Sequence, residues 1–144
     1  MIYNFLFPTK YNDTRGSSLL LVLRILFGLL LMHHGLQKVM NFQELSHSFP
    51  DPIGLGVDVS LSLAIFAELV CSIGFIVGFL YRLALIPMIF TMCVVVFVVF
   101  GHQPFSAKEL PFIYLSVFII LYITGPGKYS IDHFIGDKLT KRTK

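Results

Sequence analysis

Arg24, His34, Lys38 and Glu68 are the residues of this chain whose types and positions suit them to chemistry. All four lie within strongly apolar runs. A charge near the middle of a bilayer costs at least about 2.5–3.5 kcal/mol, so each needs a partner or a task that keeps it there. A carboxylate can take up and release protons, and an imidazole or ammonium can donate to a carbonyl oxygen. Together they would suit a bound oxygen-rich ligand or a short proton relay.

Helical phase decides which of them can meet. An α-helix turns about 100° per residue, so Gly28, Gly35 and Lys38 return to within about 40° of Arg24, and His34 to within about 80°. These residues share one face, and His33 points away from it. Gly28 and Gly35 on that face would admit a second helix closely. On the second run, Cys71 and Ser72 flank Glu68. Counting about 1.5 Å per residue from the end that carries the termini, Arg24 lies at about 9 Å, Glu68 at about 18 Å and His34 at about 24 Å. Arg24, His34 or Lys38 can therefore reach Glu68. Two readings fit equally: an ion-paired staple between helices, or a polar pocket for a ligand or protons.

The elements that carry these residues are membrane helices. Hydrophobic residues make up 56% of the 144 and charged ones 13%, with a mean hydropathy of +0.80. Four apolar runs each approach the roughly 20 residues a bilayer core requires. The sequence predicts an all-α, polytopic, antiparallel four-helix bundle in one domain, residues 1–144. The spans fall at about 18–40, 58–80, 82–101 and 107–125, with a basic tail over 126–144. Ser17 or Ser18 is expected to cap the first span. Only Tyr81 and Arg82 are left to connect the second and third. Ser106 and Glu109 read as a capping box for the fourth.

Net charge is only +3, and the basic residues sit near the chain ends, which suits an anionic leaflet and excludes a broad nucleic-acid footprint. Lys10, Arg15, Arg82, Lys128, Lys138, Lys141, Arg142 and Lys144 fall on one side, against Lys38 and Lys108 on the other. The positive-inside rule then places both termini in the cytoplasm and the loop over 41–58 outside. The first run is too long for a signal peptide and lacks its cleavage site. Ile2, Tyr3, Phe5, Leu6 and Phe7 suit an interfacial anchor.

After the fourth span, Gly125, Pro126, Gly127, Lys128, Ser130 and Asp132 form an edge motif. Gly125 suits a left-handed cap, Pro126 stops the helix, and Ser130 and Asp132 can cap a short following helix. Lys128 lacks the nested amides of a phosphate loop, and lipid headgroup or a nearby acid is its expected partner. Cys71 and Cys93 fall at similar depth on neighbouring spans and read as buried apolar thiols. His34 and His102 both lie toward the outer side, which leaves a b-type haem a weak expectation. No spacing of Cys or His suggests a metal site.

Arg24-Ile-Leu-Phe-Gly28, His34-Gly35-Leu-Gln-Lys38, Glu68, Gly78-Phe-Leu-Tyr-Arg82 and Gly125 to Asp132 together resemble the DoxX family of small bacterial membrane proteins, over about residues 19–135. That resemblance implies four transmembrane helices in the bacterial inner membrane and a redox context, since relatives are linked to quinone-linked sulfur oxidation and to membrane oxidoreductase complexes. It does not imply a reaction. The chain has no Cys-x-x-Cys pair for dithiol chemistry. The leading expectation is a membrane subunit or partner of a redox system, with a quinone at Arg24, His34, Lys38 and Glu68. The alternatives are a scaffold or assembly partner whose cluster only locks the helices, and a small-solute carrier. Candidate partners are the bilayer, a redox-enzyme protein and a second copy of the chain.

Overall fold

Large apolar side chains are exposed along four long helices, and the charged ones deep within them, Arg24 and Glu68, are buried. That inversion of the usual polarity is what a bilayer selects. The computed structural model describes residues 14–142. The anchor proposed over residues 2–7, with Lys10 and Lys144, lies outside the described residues. Helix α1 spans Thr14–Met40, and a short α2, Phe42–Leu45, follows it. Next come α3 (Val57–Val77), α4 (Tyr81–Val99), α5 (Phe105–Thr124) and α6 (Ile131–Arg142). The four spans α1, α3, α4 and α5 are each long and apolar enough to cross a membrane. The described residues contain no strand. The protein is an all-α, multi-pass membrane bundle in contact with lipid.

Helices α1 and α3 cross at two glycines, as their phase predicts. A methyl group added at Gly35 would lie 2.8 Å from the Leu69 backbone nitrogen and 2.9 Å from the Glu68 carbonyl carbon. One added at Gly28 would meet the Ile76 side chain, which can turn aside. Gly35→Ala is therefore expected to destabilise more than Gly28→Ala, because backbone cannot yield as a rotamer does. Thermal unfolding of the two variants in detergent checks this, and equal losses would refute it.

The core runs along α3, α4 and α5 as stacked rings. Phe75 stacks on Tyr81 at 5.4 Å, Phe118 meets Phe75 edge-on at 5.6 Å, and Tyr114 lies 5.7 Å from Phe118. Cys71 is buried in this core, Cys93 packs against it, and both are free thiols.

Several local expectations need correction. Neither Ser17 nor Ser18 caps α1, which already includes Thr14: the Ser18 hydroxyl donates to the Thr14 carbonyl, and the Ser17 hydroxyl accepts from the Lys128 amide. Tyr81 and Arg82 are not the hairpin connector but the first residues of α4. The turn is Gly78-Phe79-Leu80, with φ of +70° at Gly78 and +45° at Leu80. Ser106 and Glu109 form no capping box. Pro104 holds the cap position, its carbonyl accepts from the Ala107 amide, and α5 starts two residues earlier than that box requires. Gly125 has φ of +85° but an extended ψ of −178°, so it is not a left-handed cap, although a side chain there would be strained. Two wide π-type turns, Phe66–Val70 in α3 and Val95–Val99 in α4, had no sequence signal.

The loop between α2 and α3 is tied down by one carboxylate. Asp51 accepts from the Ser60 hydroxyl at 2.7 Å and from the Gly56 and Leu55 amides at 2.8 and 3.0 Å. The Ser60 and then the Gly56 donors hold its carboxyl below the usual value. A depressed carboxylate contributes stability that is present above its unfolded value and lost as pH falls through the folded one. The tether should therefore hold at pH 5 and down to about pH 4, and weaken only as pH falls further, below the ordinary carboxylate value. Pepsin nicking at Phe49 or Leu55, compared at each pH with an Asp51→Asn variant, measures it. Equal nicking of the two proteins at about pH 4 would refute the tether.

Candidate functional site

The bundle separates its buried charges into two centres. The first lies at the face where Thr14 and the C-terminal segment meet. Arg24 is 1% exposed, and its guanidinium donates to four backbone carbonyls. Two belong to the last turn of α3: Phe75 (3.1 Å) and Ile76 (2.5 Å). Two belong to the turn after α5: Pro126 (2.8 Å) and Tyr129 (2.9 Å). The unsatisfied carbonyls of a helix end carry partial negative charge, and a planar fork of donors suits them. The Tyr81 ring lies 5.6 Å from the guanidinium carbon.

Asp132 performs the complementary task. It is fully buried and accepts from the Leu80 and Tyr81 amides at the start of α4, while its own amide donates to the Gly78 carbonyl. Burial pushes its carboxyl up, against the two amides and Arg24, which draw it down. It was expected to cap α6. Only Ser130 does so, accepting from the His133 amide. Gly78 has no room for a side chain, because a methyl group there would meet Arg24 and Ser130 at 2.6 Å. The Lys128 side chain is exposed, and its amide donates to Ser17.

The second centre lies toward the opposite, loop-bearing face. Lys38 Nζ donates to Glu68 Oε2 at 2.5 Å, with the side chains 22% and 5% exposed. Glu68 sits within the wide turn of α3. Such turns recur at functional sites because they displace a side chain from the regular spiral. The pair borders a cavity of about 600 Å³ between α1, α3, α4 and α5. His34 and Tyr114 join it there, their rings 6.3 Å apart and edge-on. Ser60 and Thr91 add hydroxyls, and the remaining walls are apolar, including Leu31, Phe66, Phe90 and Val95.

The sequence-predicted cluster is thus divided. Lys38, Glu68 and His34 come together at the cavity, and Arg24 does not. It lies ten residues from His34, about 15 Å along α1. Its charge is matched by backbone carbonyls, which a search for charge pairs overlooks. Tyr114 was missed, since a lone tyrosine in an apolar run gives no sign of which way α5 turns. His102 is exposed in the turn after α4 and does not line the cavity. Among the described residues, no three His, Cys, Asp or Glu side chains gather to hold a metal ion.

A four-span bundle with inward-facing charges at both ends defines an integral membrane protein with a polar interior. The family model for DoxX matches residues 19–101, more than half of the chain, and the protein belongs to that family. The match takes in Arg24, His34, Lys38 and Glu68 but ends before Gly125 to Asp132, which the sequence resemblance had included. No curated protein and no solved structure matches the chain.

Proposed function

We propose that the cavity at the loop-bearing face binds a quinone and that the protein serves a membrane redox system as a subunit or partner. One observation carries this reading: a mostly apolar chamber of about 600 Å³ whose lining includes His34, Lys38, Glu68 and Tyr114. Ligand sites have this form, mostly apolar with a few convergent donors. A quinone presents carbonyl oxygens on an apolar ring. Lys38, His34 and Tyr114 supply donors for those oxygens, and Glu68 supplies a carboxylate for the protons its reduction consumes. Titrating the purified protein with a short-chain ubiquinone should give saturable binding that the folded double variant Lys38→Met with Glu68→Leu lacks. Saturable binding unchanged in that double variant, or none in the unaltered protein, overturns the assignment.

The scaffold reading is favoured at the opposite end. There Arg24 and Asp132 spend their hydrogen bonds on backbone, and docking of a redox-enzyme partner would fall to the exposed Lys128 and Tyr129 of the edge motif, since Gly125, Pro126, Gly127, Ser130 and Asp132 are buried. In this reading the termini face the cytoplasm of a bacterial inner membrane, as the Lys and Arg distribution argues. Reporter fusions at Lys144 and near Asp51 should report opposite sides.

A further inference from the structure

We infer that the cavity is entered sideways from the bilayer, through a gap between α3 and α4, by a neutral single-tailed amphiphile. The inference rests on the proposed quinone site and adds its entry route and the form of its ligand. The two arms of the α3–α4 hairpin pack together from the Gly78 turn to the depth of Glu68. Beyond it, Val57–Ile65 has no extensive contact with α4. Two features help the arms part. Pro87 removes a backbone donor from α4, and the wide turn at Phe66–Val70 shifts the course of α3.

Phe66 and Phe90 stand at this gap and belong to both surfaces. They line the cavity and are 48% and 56% exposed. Leu63 on α3 is likewise exposed and cavity-lining. Rings of this kind at a lipid-facing gap are an apolar threshold. At the loop-bearing face, the apolar side chains of Phe49, Pro50, Pro52 and Ile53 line the chamber, in the loop that Asp51 fastens. A polar solute entering there would meet apolar side chains first.

The head and tail of the ligand follow from charge and volume. Lys38 and Glu68 neutralise one another, so the polar wall favours a neutral hydrogen-bonding head over a phosphate. The chamber matches a drug-sized molecule, within the roughly 300–1,000 Å³ of typical sites. A long isoprenoid tail exceeds it and would leave by the gap into the surrounding acyl chains.

The chain contains no tryptophan, so Phe66→Trp and Phe90→Trp each give a single reporter at the threshold. Each variant is reconstituted in phosphatidylcholine vesicles carrying bromine on the acyl chains. Bromolipid should quench both reporters, and long-tailed ubiquinone in the same vesicles should quench them further and saturably. Adding Lys38→Met together with Glu68→Leu, which strands no buried charge, should leave the bromolipid quenching and remove the saturable part. Bromolipid quenching without any saturable quinone response keeps the lipid-side gap and overturns the quinone site. Reporters untouched by bromolipid, with saturable quenching by tail-less ubiquinone added from water, overturn sideways entry and keep the site. If a tryptophan variant fails to fold, Leu63→Trp is the second reporter at the same gap.

Discussion

Arg24→Met should be among the most damaging single changes in this protein, with little or no folded material recovered from detergent. The reason is the number of acceptors it abandons. The carbonyls of Phe75, Ile76, Pro126 and Tyr129 all accept from this one guanidinium. A buried acceptor left without its donor costs about 1–3 kcal/mol, so four of them at the low end already total about 4 kcal/mol. That is a large share of the roughly 5–15 kcal/mol that holds typical proteins folded. Arg24→Lys should recover only part, because an ammonium offers three donors from one point and cannot reach carbonyls on both sides. Size-exclusion profiles and thermal unfolding in mild detergent rank the variants. The change should also be independent of the distant carboxylate. Arg24→Lys and Glu68→Gln should add within about 0.3–0.5 kcal/mol, and a larger coupling would return Arg24 to the Glu68 site.

Why α1 was read well and its partners less well follows from what a helix makes periodic. The spacing of Arg24, Gly28, Gly35 and Lys38 fixes a face, and that face is the one against α3. Four apolar helices are legible in the sequence because apolar length is set by the bilayer. The destination of each charge was less legible. Arg24 and Glu68 carry opposite signs at depths a side chain can bridge, and sign was the only available guide. Glu68 pairs with Lys38, while Arg24 and Asp132 find backbone ends: the last carbonyls of α3 for Arg24 and the first amides of α4 for Asp132. Such acceptors belong to no residue type, so composition cannot show them. Tyr114 and the gap beside Phe66 and Phe90 depend on helix rotation and on a wide turn, and neither has a residue pattern of its own.

Lys38→Met should destabilise far more than Glu68→Leu, although both break the same pair. The asymmetry comes from where each survivor is left. Glu68 is 5% exposed and lies in the middle of α3, so without Lys38 its carboxylate is left unpaired against a mostly apolar cavity. Breaking a buried pair in this way costs about 3–5 kcal/mol. Lys38 is 22% exposed and two residues from the end of α1, so without Glu68 its ammonium can extend along its own stem to the loop-bearing face. About 1 kcal/mol, in the range of an exposed pair, is the expected loss. The double variant Lys38→Met with Glu68→Leu should recover most of what Lys38→Met loses, because no charge is then stranded. Unfolding midpoints of the three variants in one detergent decide the matter, and equal losses for the two single variants would sink the account. The double variant also separates lock from site. If the pair only holds α1 to α3, the refolded double variant keeps any quinone binding that the cavity has. If the pair is the polar wall of a binding site, it folds and binds none.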